Sequence, residues 1–193
     1  STGAFTTLTT SGLLTANGGI KSEGAGSQSF RAGTNAGLTS QGASGIAVGT
    51  EAGKTDQGYG AVSLGPFAGS LYQGLKSVAI GFSAGQYDAD DNARGQGVYA
   101  IAIGNVAGYS KQGDNSIAIG SKAGQTNQHA NSIVISSLGT PVNTVGVGNV
   151  KIETSTGHLR LFSADWVHSG TMSSSSDIRL KENVEPITDA LAK

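Results

Sequence analysis

The sequence contains no cysteine, and only three prolines, one tryptophan and one methionine occur among its 193 residues. Without cysteine there is no disulfide framework and no thiol chemistry. The 12 basic residues nearly balance the 13 acidic ones and form no basic stripe, so we expect no nucleic-acid partner. No apolar run approaches the roughly 18 residues of a membrane helix, and no signal-peptide pattern opens the sequence. We therefore expect no membrane insertion.

Glycine, in contrast, is abundant: there are 31 glycines, about twice the usual share of roughly 7 %. They are periodic, which argues against disorder. One phrase recurs six times, and its first glycine falls at Gly33, Gly49, Gly65, Gly81, Gly104 and Gly120. The steps are 16 residues, except for one of 23 between Gly81 and Gly104.

Every class of position in the phrase repeats. A typical copy reads Ile101-Ala102-Ile103-Gly104, with an alanine three residues after the glycine and a Gln-Gly pair before the next copy. A constant period of this size indicates stacked units, none of which can bury its apolar face alone. The sequence therefore predicts an all-β protein, a parallel β-roll or solenoid of sixteen-residue repeats.

Strand geometry suggests what each position does. In Ile117-Ala118-Ile119 alternate side chains face opposite sides. We expect the two isoleucines to fill the inside of each coil and the alanine to form a flat outer face. A homotrimer about the stack axis would cover that face. The recurring glutamines either form an amide ladder along the stack or lie in solvated turns, and we expect the ladder.

Composition divides the chain into four segments. An N-terminal shaft-like segment (1–24) precedes the repeat β-roll (25–136), which is followed by a β-rich junction (137–172) and a C-terminal tail (173–193). The junction alternates with period two on both sides of Ser155-Thr156-Gly157, which predicts a β-hairpin.

The long step inserts seven residues between Gln86 and Gln96. A stacked coil can extrude such a segment without disturbing its neighbours. Its polar and aromatic side chains are candidates for receptor or glycan contact, with a solvated loop as the alternative: Tyr87, Asp88, Asp90, Asp91, Asn92 and Arg94. The spacing fails the EF-hand pattern, so we assign no metal and no cofactor.

Seven aromatic residues cluster between positions 59 and 109 of the repeat block: Tyr59, Phe67, Tyr72, Phe82, Tyr87, Tyr99 and Tyr109. Stacking on sugars is one role that they can have. We expect most of them instead to fill corners of the roll.

The repeated phrase, best seen in Ile117–Gly124, resembles the head repeats of trimeric autotransporter adhesins. Similar repeats occur in tail fibres and related appendages of bacteriophages and other viruses. The resemblance covers about 110 residues. It implies left-handed parallel β-rolls joined as trimers.

The tail carries a second resemblance. Residues 176–184 read SDIRLKENV, which is similar to the opening of the intramolecular chaperone domain that ends many phage tailspikes and tail fibres. Members of that family trimerise, guide folding of the fibre and then cut themselves off. Carried over by position, Ser176 is the nucleophile, Lys181 activates it, and the Ser176–Asp177 bond is cut. This sequence stops at Lys193, short of a full chaperone domain, so we expect the pair to be inert here.

Together these observations predict a structural trimeric fibre protein of a virion that displays a host-attachment surface. Its expected partners are two further copies of itself and a host cell-surface glycan or protein receptor. Maturation would involve chaperone-assisted trimerisation and self-cleavage, with no enzymatic activity in the fibre part. One alternative is a trimeric adhesin head on a bacterial cell surface, and another is a fragment of a glycan-degrading tailspike.

Overall fold

The fold is built from short strands that recur once in each repeat. The computed structural model describes residues 28–86, 95–143 and 146–153, which fall within one compact unit, Ser1–Leu159. These ranges contain no α-helix, and so none that could cross a bilayer. The strands are β1 (Phe30–Ala32), β2 (Ile46–Val48), β3 (Val62–Leu64), β4 (Val78–Ile80), β5 (Ile101–Ile103), β6 (Ile117–Ile119), β7 (Ile133–Ser136) and β8 (Val150–Glu153).

All eight strands form one parallel sheet in sequence order. Equivalent residues of successive copies pair directly, for example Ile46 with Val62 and Ile101 with Ile117. At about 4.8 Å per step, eight strands extend about 34 Å along the stack. The expected all-β parallel solenoid of sixteen-residue repeats is confirmed. One strand of the junction, β8, continues the stack beyond the repeat block, and the expected hairpin partner after residue 157 lies outside the described residues.

Hydrogen bonds between coils continue around the turns as well as along the strands. In the coil that begins at Ile101, Gly104 N and Val106 N donate to the coil before, at 2.8 Å each. Gly108 N and Ser110 N donate to the coil after, at 2.9 Å each. Each turn therefore depends on its neighbours to satisfy its backbone, as the repeat pattern implies.

The direction in which the strand side chains point is the reverse of our expectation. The middle residue is completely buried, as for Ala79 and Ala102, whereas Ile101 and Ile103 on either side are only half-buried. A sixteen-residue coil stacked this tightly leaves a narrow interior. Alanine and serine fit inside it, and isoleucine has to face outward. The prediction that isoleucines fill the coil and alanines form its outer face was wrong.

The glycines at the end of each strand permit close stacking. Gly104 has φ of +129°, and a Cβ placed on it would lie 2.7 Å from the carbonyl carbon and oxygen of Gly120 in the next coil. The glycine of each Gln-Gly pair is similarly confined: a Cβ on Gly58 would lie 2.6 Å from the carbonyl of Gly74. Contacts this short exclude any side chain, so glycine recurs at both positions.

The glycines of the Gln-Gly pairs form a column along the stack, which we call the glycine column: Gly42, Gly58, Gly74, Gly97 and Gly113. His129 occupies the next equivalent position, so the glycine column ends there. It belongs to the last copy that keeps the phrase, and it is exposed. The next step, from Ile133 to Val150, is 17 residues rather than 16. The regular glycine-on-glycine contact therefore stops at Gly113, and a side chain is accommodated.

The recurring glutamines lie inside the coils and not in solvated turns. This glutamine column comprises Gln41, Gln57, Gln73, Gln96, Gln112 and Gln128, each at most 3 % exposed. Each amide reaches across its own coil to a carbonyl at the start of the strand; Gln112 Nε2, for example, donates to Ile101 O at 2.8 Å.

Part of the column also forms the expected ladder. Gln57 Nε2 donates to Gln73 Oε1, and Gln73 Nε2 donates to Gln96 Oε1, at 3.2 Å each. Ser63 Oγ donates to the same Gln73 oxygen at 2.7 Å. The ladder is thus confirmed for these three glutamines. The hydrogen bonds from each glutamine amide to a carbonyl of its own coil were not predicted.

We predict that Gly104→Ala destabilises the solenoid far more than Gly139→Ala. Both glycines have positive φ, but a Cβ on Gly139 meets nothing within 4 Å. Gly139→Ala should therefore cost only the left-handed backbone strain, about 1–2 kcal/mol. Gly104→Ala adds overpacking against the next coil, and the φ of +129° lies outside the left-handed helical region that alanine can adopt, so we expect a total of about 3 kcal/mol or more. Urea denaturation measures both, and equal losses would contradict the stacking argument.

Gln73→Ala should also be strongly destabilising, because it leaves Val62 O and Ser63 Oγ buried without their amide partner. We expect a loss of about 3 kcal/mol or more in the free energy of unfolding. Gln125→Ala is the control, since Gln125 is half-buried and outside the column, and should cost about 1 kcal/mol or less. A Gln73→Ala protein as stable as the control would show that the column contributes little.

Candidate functional site

One face of the sheet carries a continuous band of outward-pointing aliphatic side chains, which we call the aliphatic stripe. Its first column is Ile46, Val62, Val78, Ile101, Ile117 and Ile133, and its second is Val48, Leu64, Ile80, Ile103, Ile119 and Ile135. The most exposed residues of the stripe, at 36–38 %, are Ile46, Ile119 and Ile135. The others are half-buried by their neighbours in the stripe.

An aliphatic face of this kind is unusual for a parallel sheet. Parallel sheets normally have both faces covered, and their strands are then aliphatic throughout. Here Ala79, Ala102 and the glutamine column cover the inner face. No described part of this chain covers the outer one. Contiguous exposed apolar surface larger than about a few hundred Å² often marks an interaction site, and this stripe extends across six strands.

A second surface feature is a cavity of about 350 Å³ on the side of the coils, which we call the side groove. Its lining comprises Asp56, Gly58, Tyr72, Gln73, Gly74, Leu75, Gln96 and Val98. None of these residues belongs to the aliphatic stripe. The backbone of Gly58 and Gly74 contributes to the lining at the glycine column, while Tyr72 and Leu75 lie on the two sides of that column in sequence.

Four of the aromatic residues are exposed rather than packed into corners. Tyr59, Tyr72, Phe82 and Tyr99 are 49–53 % exposed. Tyr72 and Tyr99 occupy corners where φ is +51° and +57°, and their side chains extend from the coil. Phe82 also contacts Phe67 edge to face, with ring centroids 5.8 Å apart. The expectation that most aromatic residues fill the roll was wrong for these four.

The insertion leaves the stack undisturbed, as the sequence predicted. Strands β4 and β5 on either side of it remain in register, with Val78 paired to Ile101. Gln96 resumes its buried place directly after the insertion. The candidate binding residues within it lie outside the described residues: Tyr87, Asp88, Asp90, Asp91, Asn92 and Arg94. Ser176 and Lys181 of the proposed self-cleavage site also lie outside them.

Among the described residues, the candidate interaction sites are two surfaces, the aliphatic stripe and the side groove. In the described ranges no cluster of three or more His, Cys, Asp or Glu residues is arranged to hold a metal ion. No family model, no curated protein and no solved structure matches this chain.

We predict that deleting residues 88–94 leaves the solenoid intact. The deletion restores the sixteen-residue step and places Gly95 at a corner where Asp56 and Tyr72 have φ of +51°, which glycine adopts readily. The free energy of unfolding should change by no more than about 1 kcal/mol, since shortening a loop alters its closure entropy only slightly.

The control for this prediction is a deletion of equal length, residues 105–111, within a turn that hydrogen-bonds to both neighbouring coils. Circular dichroism and urea denaturation should show a severe loss for the control alone. A comparable loss for the 88–94 deletion would mean that the insertion supports the stack.

Proposed function

We propose that this chain is the β-solenoid segment of a homotrimeric fibre on a virion, which displays its outer surface for attachment to a host. The aliphatic stripe is the observation that supports the proposed assembly. In this proposal three stripes face a common axis parallel to the stack, and each copy covers the stripes of the other two.

A copy of the same chain suits the stripe better than an unrelated partner does. The stripe has the pitch of the coils, about 4.8 Å, and it extends with little interruption along the strands from β2 to β7. Only a surface with the same pitch meets such a stripe layer by layer over its whole length. A second copy has that pitch by construction, and rotation about an axis closes the assembly without leaving a stripe uncovered.

Threefold assembly and the virion are supported by the sequence resemblances. The repeats resemble the heads of trimeric adhesins, which favours three copies. The SDIRLKENV string beginning at Ser176 resembles a phage fibre chaperone, which favours a virion over a bacterial surface. In such a fibre the solenoid serves display, and three copies of any receptor site raise the avidity of attachment.

We predict that Ile119→Lys abolishes assembly whereas Leu38→Lys does not. Ile119 lies in the stripe, so the substitution places uncompensated charges at the axis, at a cost of several kcal/mol. Leu38 is 52 % exposed, and Lys54 occupies the equivalent position of the next copy. Light scattering at micromolar concentration should give a trimer for the parent chain and Leu38→Lys, and a monomer for Ile119→Lys. A monomeric parent chain with an intact β-sheet spectrum would refute the proposal.

Self-cleavage after Ser176 is part of the same proposal and rests on the resemblance alone. When the tail is continued by a complete chaperone domain, hydrolysis of the Ser176–Asp177 bond should release that domain, and Ser176→Ala should prevent the release. Mass spectrometry of the purified products tests this. Equal cleavage in both proteins would exclude Ser176 from the reaction.

A further inference from the structure

The side groove exists because the coils stack on glycine. A Cβ on Gly58 would collide with the carbonyl of Gly74 at 2.6 Å. Side chains are therefore excluded from the glycine column, while side chains on both sides of it are permitted. Equivalent wall positions recur about every 4.8 Å along the stack.

Large, exposed side chains border the cavity. Tyr72 and Leu75 are each 49 % exposed, and they line the cavity with the half-buried Val98 and the exposed carboxylate of Asp56. The other coils have small or hydrophilic residues at the position of Tyr72, namely Ser40, Asp56, Gly95, Lys111 and Asn127. The groove thus combines an aromatic ring, two aliphatic side chains and one carboxylate over exposed backbone. Its volume of about 350 Å³ falls within the range of small-ligand sites, about 300–1,000 Å³.

Two ligand classes fit this chemistry poorly. An extended peptide would need free backbone groups to pair with, but Gly58 N already donates to Gln73 O and Gly74 N to Gln96 O, at 2.9 Å each. An anionic ligand would need basic groups, but no lysine or arginine lines the groove and Asp56 repels negative charge. A neutral polyhydroxylated ligand meets neither obstacle.

We propose that the side groove binds a neutral oligosaccharide. The apolar face of a sugar ring packs on Tyr72 and Leu75, and its hydroxyl groups donate hydrogen bonds to the Asp56 carboxylate. The spacing of the coils is close to the length of one pyranose unit, so a linear chain can follow the glycine column. This inference rests on the proposed function, because it assigns the chemical class of the receptor, but the groove itself is formed within one chain.

The test uses the whole chain and an array of neutral oligosaccharides containing glucose, galactose, mannose and N-acetylglucosamine. Sulfated heparin oligosaccharides serve as the anionic comparison. The tightest neutral binder is then titrated calorimetrically against the parent chain and three variants. These are Tyr72→Ala, Asp56→Asn and the control Tyr99→Ala. Tyr99 matches Tyr72 in exposure and in positive φ, but it does not line the groove.

We expect Tyr72→Ala to weaken binding about three- to tenfold, as loss of an aromatic contact does. Asp56→Asn should weaken it about tenfold through loss of a charge-assisted hydrogen bond. Asparagine tolerates positive φ, so this variant should fold. Tyr99→Ala should bind within about twofold of the parent chain. The inference is overturned if no neutral oligosaccharide binds, if only the anionic ones bind, or if the two groove variants bind as tightly as the control.

Light scattering of the same samples separates this inference from the proposed function. If the chain is a trimer that binds no neutral sugar, the proposed assembly stands and the proposed sugar site is refuted. If the chain is a monomer whose sugar binding depends on Tyr72 and Asp56, the sugar site stands and the proposed trimeric fibre is refuted.

Discussion

The structure depends on the stacking of narrow coils whose backbones hydrogen-bond to one another around the whole turn. Gly104 N and Gly108 N donate to opposite neighbours, so no coil can satisfy its backbone alone. The coil is too narrow for large side chains, and its interior contains Ala79, Ala102 and the glutamine column. Each glutamine amide donates hydrogen bonds to carbonyls of its own coil. These hydrogen bonds stabilise the interior of the coil, where a wider solenoid would have an aliphatic core.

The same constraint produces both candidate interaction surfaces. Aliphatic side chains that do not fit inside the coil must point outward, and the regular pitch aligns them into the aliphatic stripe. Glycines that permit close contact between coils exclude side chains from the column that the side groove follows. The two surfaces are formed by different residues of each repeat. In the proposed trimer, contact through the stripe does not require any residue of the groove, and three copies would present three grooves.

Much of the architecture could be predicted from the sequence, because the period of 16 and the Gln-Gly pairs identify equivalent residues in every coil. The register across the insertion followed from the same alignment. Which face of each strand points into the coil could not be derived from the alternation of side chains alone. Alternation places Ile101 and Ile103 on one face and Ala102 on the other, but the enclosed volume decides which face is inside. The recurring small residues that line the rest of the interior, such as Ala107 and Ser116, were the available signal for a narrow coil. The side groove could not be predicted, since it depends on the approach of Tyr72 and Val98 from different coils.

In the proposed trimer, isoleucines of the strands contact other copies, whereas alanines of the strands remain inside one copy. Isotope-filtered NOE spectroscopy on a mixture of labelled and unlabelled chains tests this claim directly and needs no substitution. Methyl groups of Ile80, Ile103 and Ile119 should show contacts between copies, and those of Ala79 and Ala102 should show contacts only within a copy. Intermolecular contacts from the alanine methyl groups, or none from the isoleucines, would contradict the account.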